Sequence, residues 1–219
     1  TASGGPFLNK SIKKDSNISI NSALKHPNWK MGNKISIDSA TMMNKVFEVI
    51  EAKNIFDLNY KDISILIHPK SYIHSITFLN NGLIDIIAHE TSMKIPLINS
   101  LNYGSNFKIK TNSIDLKLLN NLQLSQINKS QFPVVKILDS ISNDTSLFET
   151  IIVTVNDTLV NMFLNKKIKF IEIEKSLLKI INLAEFRKYK KKSPKNINEI
   201  IELSRYVHLK TENLMYKMP

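Results

Sequence analysis

KHPNWKMGNKISIDSATMMNK (residues 25–45) is the stretch on which the reading of this chain turns. Its first part, HPNWKMG (26–32), holds the chain's one Trp, one of its seven Pro and one of its five Gly. Neither a 3.6-residue nor a 2-residue apolar period runs through it. Pro27 and Gly32 bracket it as a loop. A large ring in such a loop either packs back on the body or closes over something else. KISID (34–38) then reads as a short strand. Asp38-Ser39 offers an N-cap, and Met42, Met43, Val46, Phe47 and Ile50 recur at three- and four-residue steps. That spacing predicts a helix over about 40–53 with a buried stripe. Thr41, Lys45 and Glu48 fall on a different, polar face.

A helix N-terminus presents unpaired N–H groups and a partial positive charge, which suits an anion. Ser39 adds a hydroxyl, Asn44 an amide and Lys45 an ammonium, an inventory able to hold a phosphate dianion. The same residues also read without a ligand, with Ser39 as a cap and Lys45 paired to Glu48 at i,i+3. Glu48 is a single carboxylate, whereas a hard divalent cation needs several oxygen ligands. Glu51 lies well round the helix and Asp38 is the expected cap, so any further ligands come from elsewhere. TASGG (1–5) sets two hydroxyls beside two glycines whose bare backbone can approach a phosphate or carboxylate, or simply turn. His26, His68, His74 and His89 match no zinc spacing. His68 and His74 read as hydrogen-bonded structural imidazoles, while His26 shares the Trp29 loop.

Further along, ISILI (63–67) reads as a second strand ending at His68-Pro69. SYIHSITFL (71–79), Asn80-Asn81-Gly82 and LIDIIA (83–88) form a strong hairpin signal. Residues 91–128 lack a clear period and read as a connector. After Phe132-Pro133 the pattern becomes helical near 134–142, 145–164, 172–186 and 196–215, which suggests a bundle.

Composition narrows the partners. With 219 residues the chain can bury a sizeable core in one large domain or two small ones. It has no Cys, which excludes disulfides and thiolate metal sites. The longest apolar runs are far too short to cross a bilayer. A formal charge of +11 favours anionic partners. Much of it, however, follows from an Ile-, Asn- and Lys-rich usage, and RKYKKK (187–192) reads as a solvated loop. No zinc-finger or ribonucleoprotein motif accompanies it, so neither nucleic acid nor a membrane is an expected partner. The opening TASGGPF, without an initiator Met or signal-peptide pattern, reads as part of something longer.

Taken in order, TASGGPF (1–7), residues 25–45 with Glu48, IHPKSYIHS (67–75) and MKIP (93–96) resemble the second half of the 1-deoxy-D-xylulose 5-phosphate reductoisomerase family. The likeness runs on more weakly through FPVVKI (132–137) and VNDTLVNMFL (155–164). The resemblance implies an α/β (α+β) catalytic domain over 1–100, with a small sheet, a β-hairpin and a flap loop at 24–33. A connector over 101–128 and a C-terminal α-helical bundle over 129–219 would follow. It implies a cytoplasmic or plastid-stromal enzyme that uses NADPH and Mn²⁺ or Mg²⁺ to convert 1-deoxy-D-xylulose 5-phosphate to 2-C-methyl-D-erythritol 4-phosphate, for isoprenoid synthesis. The metal would act as a Lewis acid on the C–C rearrangement, and NADPH would then deliver a hydride.

By the same resemblance, Trp29 would lie against the substrate's carbon backbone and His26 would contact the substrate. Met31 and Gly32 would approach NADPH. Ser3, Ser39, Asn44 and Lys45 would grip the phosphate, and Glu48 would ligate the metal and approach the substrate. Family members are commonly homodimers. None of the five glycines forms the dinucleotide-binding G-x-G-x-x-G. That segment and the family's Asp-Ser-Glu metal ligands belong to an N-terminal half that this sequence does not contain. Val46 stands where the family usually has Gly, and VTVND (153–157) where it has Asn-Ala-Ala-Asn-Glu. These departures motivate a second expectation, a decayed homologue that keeps the fold and phosphate pocket but not catalysis.

Overall fold

The computed structural model describes residues 1–9, 18–29, 31–102, 104, 107–112 and 115–217. Of the expected segments, Lys30 in the flap, residues 10–17, several positions of the connector and the last two residues of the bundle lie outside the described residues. In chain order the elements are α1 (Ile20–Ala23), α2 (Asn33–Thr41), α3 (Met43–Phe56), β1 (Leu66–Ile67), β2 (Ile73–Phe78), β3 (Ile84–Ala88), α4 (Lys94–Leu101), α5 (Leu116–Leu119), β4 (Ser125–Gln126), α6 (Leu147–Leu164), α7 (Phe170–Ile181) and α8 (Ile197–Tyr216). The 3₁₀ segments Pro133–Ser140 and Ala184–Lys191 complete the helical part. The fold class is therefore the expected one, helix-rich with small antiparallel sheets.

By contact the chain forms two units. The smaller contains Thr1–Gly4, Pro27–Lys30 and Ile65–Ile127. Its hairpin pairs β2 with β3 in antiparallel register from Ile73↔Ala88 to Phe78↔Ile84, with an irregularity between Ile73 and Ser75. Asn80-Asn81-Gly82 turns the chain as the sequence indicates, with Gly82 at φ +86°. β1 pairs with β4, Leu66 opposite Gln126. Ala2 extends this edge, its N–H donating to the Leu66 carbonyl at 2.8 Å while the Ala2 carbonyl accepts from the His68 N–H at 2.7 Å.

The larger unit contains Gly5–His26, Met31–Ser64 and Asn128–Pro219. α6 is its axis, packed by α7, α8, α2 and Ala184–Lys191, while α3 packs on Pro133–Ser140. By length and composition α6 could cross a membrane, but most of it is buried as a core helix. Ile37, Met43, Val46, Ile151, Val155 and Leu159 are fully buried there. Phe7, Phe170 and Phe163 form a chain of edge-on rings with centroids 5.3 and 5.5 Å apart.

Several local expectations are corrected. KISID is not a strand but the middle of helix α2. Ile35 and Ile37 alternate, yet only Ile37 is buried, with Ala40 and Thr41 at helical steps from it. Asp38 and Ser39 cap nothing, because both lie inside α2. The helix expected from 40 instead breaks at Met42, in the left-handed region at φ 66°, and restarts at Met43. Thr41 is buried rather than on a polar face; its hydroxyl donates back to the Ile37 carbonyl at 3.2 Å. ISILI pairs only over Leu66–Ile67, and the expected connector carries α5, β4 and the end of α4. The 134–142 helix is 3₁₀, and the 172–186 helix ends at Ile181.

Candidate functional site

Gly32 caps the start of α2 with its carbonyl, which accepts from the Ser36 N–H and hydroxyl, both at 3.0 Å. Its missing side chain is not a steric need here, since a Cβ would meet nothing within 4 Å. Met31 just before it is half-buried. From Ser36 to Thr41 the helix is entirely buried, Ser39 included. The Met42 N–H then donates to the Ser39 carbonyl at 3.2 Å, and the left-handed residue redirects the chain. Gly5 lies so close to that carbonyl that a Cβ would stand 2.6 Å from it, with the backbone at φ +64°.

α3 starts at Met43 without a side-chain bond from Met42 itself; the Met43 N–H donates to the Thr41 hydroxyl at 3.4 Å, and the Lys45 and Val46 N–H groups to the Met42 carbonyl at 3.2 and 3.4 Å. Its first turn carries Asn44 and Lys45. The Asn44 Oδ1 is buried with no hydrogen-bond partner among the described residues. Lys45 Nζ pairs with Glu48 Oε2 at 2.6 Å, and Glu48 is the more exposed of the two. His26 belongs to the same unit. Burial first, and the nearby Lys45 charge second, hold its pKa below the ordinary histidine value. The first turn of α3, an ammonium, an amide and an imidazole held below its ordinary pKa thus share one unit. The Asn44 amide can donate to an anionic ligand, and the Lys45 ammonium can too once it leaves Glu48. Val46 is fully buried in the core, so its bulk is taken up by packing.

The smaller unit holds the other expected residues. Ser3 is half-buried beside Ala2. Asn28 donates to the Pro69 carbonyl at 2.7 Å and to the Ser71 hydroxyl at 3.0 Å, tying the loop down. Trp29 packs edge-on against His74 at 6.0 Å, and His74 stacks on His89 at 3.7 Å. The ring of the aperiodic loop therefore lies on a pair of imidazoles, a contact the sequence reading missed because the three residues span sixty positions. His68 is fully buried, its Nδ1 3.2 Å from the Gln123 carbonyl, as expected of a structural histidine.

Among the described residues no group of three or more His, Cys, Asp or Glu gathers as a metal site. Glu48 supplies one carboxylate, already paired with Lys45. A divalent cation needs several oxygen ligands, so these residues do not by themselves fit one. The reading also missed Lys34, Asn156 and Asp157. Lys34 Nζ lies 2.8 Å from Asp38 and 2.9 Å from Asp157, and Asn156 bonds Asp38. The one sequence signal was VTVND, where this chain departs from the family pattern.

The chain matches the family described as 1-deoxy-D-xylulose 5-phosphate reductoisomerase C-terminal domain over residues 1–56, and that described as DXP reductoisomerase C-terminal domain over residues 89–209. It is 58% identical over 214 residues to a 1-deoxy-D-xylulose 5-phosphate reductoisomerase of Pelagibacter ubique, covering 98% of this chain and 55% of that protein. A crystal structure of DOX-P reductoisomerase in complex with NADPH, fosmidomycin and magnesium gives a TM-score of 0.89 at 31% identity, over 98% of this chain and 54% of the other. The Zymomonas mobilis enzyme in complex with NADPH gives 0.83 at 28% identity, over 99% and 55%. The chain spans about half the length of the relatives it matches.

Proposed function

This chain belongs to the 1-deoxy-D-xylulose 5-phosphate reductoisomerase family, and we propose that it supplies the substrate-binding portion of such an enzyme. The enzyme would convert 1-deoxy-D-xylulose 5-phosphate to 2-C-methyl-D-erythritol 4-phosphate with NADPH and Mn²⁺ or Mg²⁺. The observation that carries the reading is the break at Met42, which turns one expected helix into two and puts Asn44 and Lys45 in the first turn of α3.

In this reading the α3 start, the Ser39 hydroxyl, the Asn44 amide and the Lys45 ammonium hold the phosphate. Lys45 is held at 2.6 Å by Glu48, an exposed partner that gives it up at little cost to stability. His26, its pKa held below the ordinary value by burial, contacts the substrate. Ser3 and Trp29 take the roles the family resemblance gives them, a hydroxyl for the phosphate and an indole over the carbon chain that excludes water. Met31 and Gly32 face NADPH. Glu48 is one metal ligand; the rest, with the nucleotide-binding fold, come from an N-terminal half. Val46 is fully buried, so the substituted side chain is accommodated in the fold that the active and the decayed readings share.

A homodimer is part of the proposal. The hairpin leaves Phe78 74%, Ile84 54% and Ile87 56% exposed. Such an apolar two-stranded ribbon calls for a cover.

The test joins this chain behind the N-terminal half of the Pelagibacter ubique relative. The fusion is expected to oxidise NADPH only when both the phosphorylated sugar and a divalent metal are present, and Lys45→Ala is expected to raise KM far more than it lowers kcat. A folded fusion that never oxidises NADPH would establish the decayed homologue instead.

A further inference from the structure

Asp38 and Asn156 are 118 residues apart in the sequence, yet Asn156 Nδ2 donates to Asp38 Oδ1 at 2.8 Å. Both are buried, Asp38 at 2% exposure and Asn156 at 0%. Lys34 Nζ reaches Asp38 Oδ2 at 2.8 Å and Asp157 Oδ1 at 2.9 Å, closing a four-residue network between α2 and α6. The Asn156 Oδ1 is buried without a hydrogen-bond partner among the described residues, so the bond that ties this amide to α2 is the one its N–H makes.

As a device for stability this is a poor one. Burying a carboxylate costs free energy that a single amide and a half-exposed lysine only partly offset, and apolar residues of the same size would hold two helices together at least as well. What a polar pair does better is select one register, because an amide shifted along its partner helix loses its bond outright while a methyl group slides. The register in question matters. Ser39 follows Asp38 directly, and its carbonyl takes the N–H of Met42, the residue that turns the chain into α3. Lys34 also lies over the ring of Phe47 on α3, 4.9 Å from its centroid. The network thus touches both helices that carry the phosphate residues.

We infer that Asp38 and Asn156, backed by Lys34 and Asp157, form a positioning device that fixes the register of α2 on α6 and so aligns Ser39, Asn44 and Lys45 for a phosphate. The inference rests on the phosphate reading given above. It also gives the C-terminal helices a part in substrate recognition, through side chains that never touch the substrate.

The experiment uses the 219-residue chain, inorganic phosphate as the probe, titration calorimetry for affinity and amide hydrogen exchange at residues 39–45. Asn156→Ala is expected to weaken phosphate binding about tenfold and to speed exchange across the junction, as loss of alignment does. The exchanged pair, Asp38→Asn with Asn156→Asp, keeps one hydrogen bond with donor and acceptor reversed and is expected to recover affinity to within about threefold. Ser204→Ala is the control. It removes the 3.0 Å Thr154–Ser204 bond between α6 and α8, and is expected to lower the melting temperature while leaving affinity and junction exchange unchanged. If Asn156→Ala does not fold, Asp38→Asn and the exchanged pair decide. Phosphate binding by these variants equal to that of the unaltered chain overturns the positioning role and leaves the phosphate reading standing. An unaltered chain that binds no phosphate overturns the phosphate reading. In that case exchange that still quickens on Asn156→Ala supports the anchoring of α2, and unchanged exchange overturns it as well.

Discussion

The hairpin β2–β3 and the helical junction α2–α3 are ordered by opposite means. The hairpin is a ribbon of near neighbours. Its ladder pairs residues at most fifteen apart, with Thr1 donating to the His74 carbonyl at 3.0 Å as a distant tie at one end; its turn is set by Gly82, and its outer side chains are exposed apolar groups. The junction is almost wholly buried, and the contacts that define it come from far along the chain, Asn156 from one direction and Gly5 from the other. A region made of local contacts tolerates change wherever its backbone ladder survives. A region made of distant contacts depends on each partner arriving at its place.

Two of the positive-φ glycines, Gly5 in the junction's contacts and Gly82 in the hairpin turn, break this comparison most sharply. Gly5→Ala would set a Cβ 2.6 Å from the backbone carbonyl of Ser39, which cannot rotate away. We expect a loss of about 4 kcal/mol or failure to fold, at the upper end of single-residue effects. Gly82→Ala has the same sign of φ but open space around the new atom. It should cost only about 1 kcal/mol, the backbone strain alone. Chemical denaturation of both variants measures the difference, and equal losses would mean that the junction does not depend on close approach at Gly5.

Val46→Gly comes next. It restores the residue that the family resemblance places at this position. The expected result is nevertheless destabilisation by about 3 kcal/mol, from lost burial of a Val side chain together with a flexible residue in a helix interior. The observation behind it is that Val46 is 0% exposed. Unchanged stability would mean that the neighbouring core closes over the vacated volume.

These contrasts also explain what the sequence could reveal. The hairpin was legible because its determinants, alternation and an Asn-Asn-Gly turn, lie within eighteen residues. The long helices α6 and α8 were legible for a similar reason, each being a sustained periodic run. The junction was misread at Ile35 and Ile37, whose alternation fits a strand equally well until Asn156 and Gly5 select the helix. Asp38 reads as a cap because a surface Asp before an apolar run usually is one; nothing local says that its partner lies 118 residues on. At the candidate site, Ser39, Asn44, Lys45 and Glu48 were visible as an inventory. The break that arranges them was not, because Met is an unusual residue at positive φ and carries no turn signal.

The smallest effect concerns charge at the junction. His26 is held below its ordinary pKa by burial, and secondarily by Lys45. A depressed histidine pKa means that the folded chain resists protonation. Its contribution to stability is fully present above the ordinary value of 6.5 and is lost as the pH falls through the depressed folded value. Lys45→Ala removes the lesser cause and leaves the greater. His26 should therefore titrate higher than in the unaltered chain but still below 6.5, and the pH window over which stability falls should narrow by the same amount. Inorganic phosphate should move the titration upward too, since a bound dianion favours the imidazolium. The two shifts differ in kind: phosphate acts through Lys45 and α3 together, so its effect should shrink in Lys45→Ala rather than add to it. Following the His26 ring protons by NMR separates the cases. Fully additive shifts would show that phosphate reaches His26 at some place other than the Asn44–Lys45 turn.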